Sequence, residues 1–210
     1  MDLGSQQEGA PGLRARFIDA AHSILREEDP SYKLELRKIA QRAEVSRTAP
    51  YLVFGKEREG GGLVALQAAV AADGFRKLAG ALRKAGEKAA DPEAGLRQIA
   101  AAYLRFAAAN PRLYRLMFDA ELAGKLDLEG LGEERLEAQR VIETAVRRCQ
   151  AAGVVKAGAA VGIALGAWAT MHGFASLMLD DRLAQRSAAA EPEDVARTAA
   201  DQLLDGLRPP

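Results

Sequence analysis

Between Tyr32 and Arg58 the chain gathers seven basic residues, Lys33, Arg37, Lys38, Arg42, Arg47, Lys56 and Arg58, against three acidic ones, Glu35, Glu44 and Glu57. Clustered Lys and Arg side chains neutralise phosphates, and phosphate contacts supply most of the sequence-independent affinity of a protein for nucleic acid. The whole chain balances 29 basic against 29 acidic residues. Attraction to a polyanion must therefore be local to this stretch. Double-stranded DNA is the partner this patch predicts; a solvated basic hairpin is the alternative.

Other chemistry has less to work with. His22 and His172 lie far apart in the chain, and Cys149 has no neighbouring histidine. No set of His, Cys, Asp or Glu has metal-ligand spacing. GKEREGGG has the glycines of a phosphate loop but not its GKS or GKT ending, and reads as a linker. Asp180-Asp181 and Glu133-Glu134 read as solvated helix ends. Neither cofactor nor catalysis is expected, and the residual catalytic reading is a helical enzyme with His172 as a base. A single cysteine excludes an internal disulfide framework and fits a reducing compartment. The opening MDLGSQQEGAPG lacks the apolar core of a secretory signal. A cytoplasmic location follows as the expectation.

A second group of residues suits binding. Tyr103, Phe106, Tyr114, Met117, Phe118, Trp168, Met171 and His172 are aromatic, thioether and imidazole groups on otherwise apolar helices. Converging on a cavity, they would hold a small, flat, apolar effector; their other reading is ordinary core.

The elements that must position these groups are helical throughout. Residues 12–28 set Leu13, Phe17, Ile18, Ala21, Ile24 and Leu25 on one face, and Asp29-Pro30-Ser31 ends that helix. In LRKIAQRA, Leu36, Ile39, Ala40 and Ala43 form an apolar face while Arg37, Lys38, Gln41 and Arg42 point outward. Glu44-Val45 is the turn, with Val45 plugging the corner, and Ser46 is placed to cap a second helix from Arg47. Two helices this short cannot stand alone in water. Mounted on the first helix, they have the shape of a helix-turn-helix. Leu63, Leu66, Val70, Phe75, Leu78 and Leu82 continue at helical spacing, and Asp91-Pro92-Glu93, Asn110-Pro111 and Pro192-Glu193-Asp194 are helix starts. A helix over 131–152 ends at Gly153. No run alternates with period two for long enough to be a strand. The fold class is all-α: a three-helix helix-turn-helix head and a larger helical body for ligand binding and dimerisation. The domains expected are a disordered tail at 1–11, the head at 12–58 and the body at 59–208.

Residues 157–179, within a helix predicted over 157–183, contain no charged residue and could cross a bilayer. Their Ala, Gly, His172, Thr170 and Ser176 dilute the apolar character, and no Lys/Arg cluster marks a cytoplasmic side. A helix buried in the protein interior, with no membrane, is the expectation. Gly158, Gly162 and Gly166 recur every four residues. Each costs roughly 1 kcal/mol against Ala in a helix interior, an outlay that close helix packing would offset. The partner helix is either a second copy of the chain or one within it. Val195, Ala199 and Leu203, with Leu204 and Leu207, make the last helix the other candidate homodimer interface.

The segment LRKIAQRAEVSRTAPYLVFGKE resembles the signature of TetR-family (tetracycline-repressor-like) transcriptional regulators. An LR-x-IA-x-x-A helix, a turn ending in V-S, and a second helix running into tyrosine, an aromatic and Lys-Glu carry the likeness. NPRLYRLMFD and GAWATMHGF resemble segments of one subgroup. The resemblance implies a DNA-binding head, a body that dimerises through a four-helix bundle of the last two helices and their mates, and release or retention of DNA set by a ligand. It places Arg47, Thr48 and Ala49 against the major groove. Tyr51, Lys56, Ser46 and Arg37 become backbone-positioning residues. Glu44 stands where the family has glycine, Val53 where it has histidine, and Glu35 near a helix start where Ser or Thr is usual. A helical small-molecule carrier or scaffold, without sequence-specific DNA binding, is the competing class.

Overall fold

The computed structural model describes residues 12–27, 34–55, 62–180 and 192–209. Within them the chain forms α1 (Leu13–Glu27), α2 (Leu36–Arg42), α3 (Ala49–Phe54), α4 (Gly62–Glu87), α5 (Pro92–Ala109), α6 (Pro111–Met117), α7 (Ala120–Ala123), α8 (Leu131–Ala151), α9 (Ala160–Leu179) and α10 (Pro192–Leu207). A 3-10 turn, Leu128–Gly130, leads into α8. Among the described residues there is no strand. The Asp29-Pro30-Ser31 stop, most of the GKEREGGG linker and the 1–11 tail lie outside the described residues.

The 26-residue α4 is the spine. Its buried side, with Leu66, Val70, Phe75, Leu78 and Leu82, packs on α5 and α8. Of the head helices, α1 and α3 pack on α4 directly, and α2 packs on both of them. One contiguous apolar cluster runs from Phe17 and Phe54 in the head to Trp168 and Leu204 in the body. At the join, Gly62 lets α4 start close to the head: a β-carbon there would stand 3.2 Å from Leu36 Cδ1 and 3.4 Å from the Gly55 carbonyl.

Asp91 opens α5 by accepting a hydrogen bond from the Ala94 amide at 2.8 Å. Asn110 departs from that device. Its side-chain amide donates back to the Phe106 carbonyl at 2.9 Å, closing α5, and gives α6 no side-chain cap. Proline at the start of α6 leaves one fewer orphan amide there.

Two expectations about the carboxy-terminal helices need correction. Gly158 is not in a helix: its φ of +144° puts it in the turn before α9, and its carbonyl accepts from the Gln150 side chain at 3.1 Å. Nor is α9 buried all round. Ala160, Ala164, Ala167, Trp168, Met171 and Ala175 face α5, α8 and α10. The opposite face exposes Val161, Gly162, Leu165, Gly166, Ala169, Gly173 and Leu177. Among the described residues, nothing beyond the local turns of α9 itself lies within 4 Å of a β-carbon built on Gly162, Gly166 or Gly173. The intramolecular partner is thereby excluded for Gly162 and Gly166 among the described residues. This helix is long and apolar enough to cross a membrane, with 20 residues at mean hydropathy 1.3.

Helix α10 is the reverse case. Val195, Ala199 and Leu203 are buried within their own chain, where α10 packs chiefly on α5. Arg97 pairs with Asp201, Arg105 with Glu193 and Arg208 with Glu93, fastening the two helices. Its apolar face is thus used internally. The outward residues Arg197, Thr198, Gln202 and Asp205 are polar.

Candidate functional site

The mount of the short helices is built as the apolar pattern requires. Leu36, Ile39, Ala40 and Ala43 are buried, and Arg37, Lys38, Gln41 and Arg42 are exposed. Phe17 of α1 meets Phe54 of α3 edge to face, ring centroids 5.9 Å apart. Arg16 donates to the Ala43 carbonyl at 2.5 Å, and Arg42 pairs with Glu27 at 2.6 Å, so α1 grips the end of α2.

The corner is a Schellman turn. The Val45 amide bonds the Ala40 carbonyl and the Glu44 amide the Gln41 carbonyl, both at 3.1 Å. Such a turn needs a left-handed residue at its first non-helical position. Glu44 occupies it with φ of +54°, which costs a β-carbon-bearing residue about 1 kcal/mol.

The second helix starts later than the sequence suggests. Thr48, not Ser46, is the residue before α3, and no side chain caps it. Instead the Ser46 carbonyl accepts the Ala49 amide at 3.1 Å, forming a turn across Arg47 and Thr48, with the two hydroxyls 3.2 Å apart. Pro50 favours this arrangement because it has no amide to leave unpaired. Ser46, Arg47 and Thr48 are exposed. Ala49 is not: it is buried in the head, which removes it from any groove contact. Tyr51 is half-buried, and Lys56 lies outside the described residues. Sequence reasoning missed Leu52, which is 83% exposed. With Ala49, Pro50 and Phe54 turned inward, the four-residue step from Thr48 to Leu52 puts both on the outer side. Arg37, Gln41, Val45 and Arg47 line a recess of about 320 Å³ between the helices, a concavity with two guanidinium groups in its wall.

In the body, five of the eight predicted pocket residues form one ring cluster. Tyr103 meets Tyr114 and Trp168, and Phe118 packs on Tyr114, Trp168 and His172. The Tyr103 and Tyr114 hydroxyls are 3.0 Å apart, and the Tyr114 hydroxyl lies 2.6 Å from His172 Nδ1. Burial holds the His172 imidazole below its ordinary pKa, assisted by the positive charge of Arg135. With the proton of the neutral ring on Nε2, Nδ1 accepts from Tyr114 and Tyr114 from Tyr103, a chain in which each hydroxyl donates once. Burial pushes both phenols well above their usual range.

Met117 lines a small cavity beside the cluster and Met171 is fully buried. Among the described residues Phe106 makes no ring contact; it is half-buried. Of the walls of that cavity, about 110 Å³, only Met117 and Phe118 were singled out from the sequence for a pocket; Phe75 and Arg135 are among the residues that were not. Arg135 had a signal: Leu131, Ala138, Ile142, Ala145 and Cys149 make the buried stripe of α8, and position 135 falls on it. A larger recess, about 760 Å³, lies elsewhere, between α4, α5 and α8, with Arg83, Ile99, Glu137, Arg140 and Arg148 in its walls. Its acidic and basic groups largely answer one another, as in the Arg83–Glu137 pair.

Residues 96–203 match the family model described as tetracyclin repressor-like, C-terminal domain. Among solved structures, a protein of unknown function from a Rhodococcus species is similar at 31% identity, over 98% of this chain and 100% of that one, with a TM-score of 0.77. The TetR family transcriptional regulator PfmR from Thermus thermophilus shares the fold at 20% identity, over 92% and 100% of the two chains, TM-score 0.62. The fatty acid degradation regulator FadR from Bacillus halodurans does so at 17% identity, over 92% and 99%, TM-score 0.68. The sequence matches no curated protein.

Proposed function

The chain belongs to the tetracycline-repressor-like (TetR) family, and on that premise we propose that it is a ligand-responsive repressor that binds a pseudo-palindromic operator as a homodimer. The observation that carries the reading is the outer surface of the turn and α3. Arg47, Thr48 and Leu52 stand exposed on a corner fixed by packing and backbone hydrogen bonds, beside Arg37. Arg47 is suited to guanine O6 and N7, Thr48 and Leu52 to a thymine methyl, and Arg37 and Ser46 to phosphates.

One such head buries little surface, so specific binding calls for two heads related by a twofold axis. The exposed face of α9 supports the homodimer: Val161 and Leu165 are 61% and 60% exposed, between glycines that admit close approach. The ring cluster around Tyr114 and His172 is the effector site in this reading. An effector there biases the spacing of the two heads, because α4 and α6 touch both the cluster and the head. The protein acts in the cytoplasm, without a membrane, cofactor or catalytic step.

Selection from a random duplex library with the purified protein tests the reading. An enriched palindrome, weakened by Arg47→Ala or Leu52→Ala, is the expected result. Salt-sensitive binding with no enriched motif would reduce the head to a basic patch and favour a helical carrier.

A further inference from the structure

Arg135 is a cation placed where an apolar residue belongs. It occupies the buried stripe of α8, is half-buried, and forms part of the wall of the 110 Å³ cavity with Phe75, Met117, Phe118 and Leu131. Among the described residues it makes no ion pair and no hydrogen bond. The nearby acids are engaged elsewhere. Glu134, one residue earlier, accepts from Arg76 at 2.9 and 2.7 Å. Asp119, on the cavity rim, accepts the Glu121 amide at 2.8 Å and opens to solvent. A guanidinium withdrawn from water with no partner is costly, and a carboxylate meeting both arms of its fork removes that cost.

The surroundings add a shape. Phe75 and Phe118 meet edge to face at 5.4 Å, and Trp168 stacks near Phe75 at 6.5 Å. An apolar cavity of roughly 150 Å³ takes up benzene, so 110 Å³ suits one six-membered ring after a small outward shift of flexible Met117.

We infer that the cavity beside the ring cluster is built for a small planar ring carrying one carboxylate, with Arg135 as its anion-recognising residue. The inference rests on the effector reading above and narrows it from an apolar molecule to an aromatic acid. Aromatic faces hold the ring, while the fork of Arg135 selects the charge.

Trp168 is the sole tryptophan of the chain and packs on Phe75 and Phe118 of the cavity wall, so its fluorescence reports on the site through them. Benzoate and phenylacetate would be titrated into the full-length protein beside their uncharged counterparts, benzamide and phenylacetamide. The expected result is saturable quenching or enhancement by the acids, with the amides at least about ten-fold weaker. Arg135→Gln should erase the difference between acid and amide, and Arg135→Lys should restore part of it. Equal binding of acids and amides, or undiminished acid binding by Arg135→Gln, overturns the inference while leaving an apolar effector site standing. No response to any of the four compounds overturns the inference together with the effector reading of this cavity. A melting curve for each variant identifies a misfolded one, and the comparison of acid with amide on wild-type protein is decisive without any variant.

Discussion

Nε2 of His22 lies 2.6 Å from Oδ2 of Asp73, joining α1 of the head to α4 of the body. His22 is buried, and the Asp73 carboxylate also meets Lys77 at 2.8 Å and Arg76 at 3.1 Å. An ionised carboxylate only accepts, so the imidazole donates from Nε2. The hydrogen bond from His22, followed by Lys77, holds the Asp73 carboxyl well below its usual 3.8, against the opposing effect of burial.

Because the folded-state pKa of Asp73 is depressed, its contribution is complete above about 3.8 and is lost as pH falls below that value. Asp73→Ala should lower stability by about 1–3 kcal/mol at neutral pH. It should also flatten the acid limb of a stability-versus-pH curve from urea melts. A variant as stable as the parent, with an unchanged acid limb, would show that the contact contributes nothing.

His172 acts in a higher window. Its folded-state pKa lies below 6.5, so stability should fall as pH drops through that value, where the unfolded chain gains a proton that the folded one refuses. Tyr114→Phe removes both the donor to Nδ1 and the acceptor of the Tyr103 hydroxyl. It should cost about 1–3 kcal/mol by thermal or urea melting.

Glu44→Gly is expected to stabilise the head. The φ of +54° is strained for glutamate and free for glycine. The gain, up to about 1 kcal/mol, is offset in part by the greater freedom of glycine in the unfolded chain. Calorimetry on the two proteins decides it, and a lower melting temperature for the glycine variant would mean that the Glu44 side chain holds something else.

Leu52→Ala and Arg37→Ala should weaken operator binding in different ways. Loss of an apolar base contact lowers specific affinity and leaves the salt slope alone. Loss of a phosphate contact reduces that slope by about one unit across all sequences. Fluorescence anisotropy at several salt concentrations separates the two.

Leu165→Glu places a charge on the exposed apolar face of α9 and should convert the proposed homodimer to a monomer in sedimentation equilibrium. Gln202→Glu, on the polar outer face of α10, should leave the assembly unchanged. Dissociation by the second and not the first would move the interface to α10.

The head was the most legible part of the chain, because the spacing of Leu36, Ile39, Ala40 and Ala43 fixes which side of α2 is buried. The turn at Glu44 could also be read, since left-handed backbone is a local matter. What the sequence hid was tertiary. Thr48 and Leu52 share a face only because α3 begins at Ala49, and that start depends on the carbonyl of Ser46. Gly158, Gly162 and Gly166 have helical spacing, yet a left-handed φ at Gly158 breaks the stripe. Val195, Ala199 and Leu203 look the same whether they face α5 or a second copy, because an apolar stripe does not name its partner. The aromatic residues of the body could be listed by type, but which of them meet depends on the crossing of α4, α5, α6 and α9.

The apolar cluster that passes without interruption from Phe17 and Phe54 to the first turns of α4 bears on how such a chain can be recombined. Grafting a foreign head at the linker before Gly62 would cut between Leu36 and the glycine that fits against it. A hybrid regulator should therefore inherit the opening of α4, through Leu66, Val70 and Asp73, together with the head that shaped it. Joined that way, the splice falls within one continuous helix, the His22–Asp73 contact travels with the head, and the seam left to be matched is that between α1 and α6.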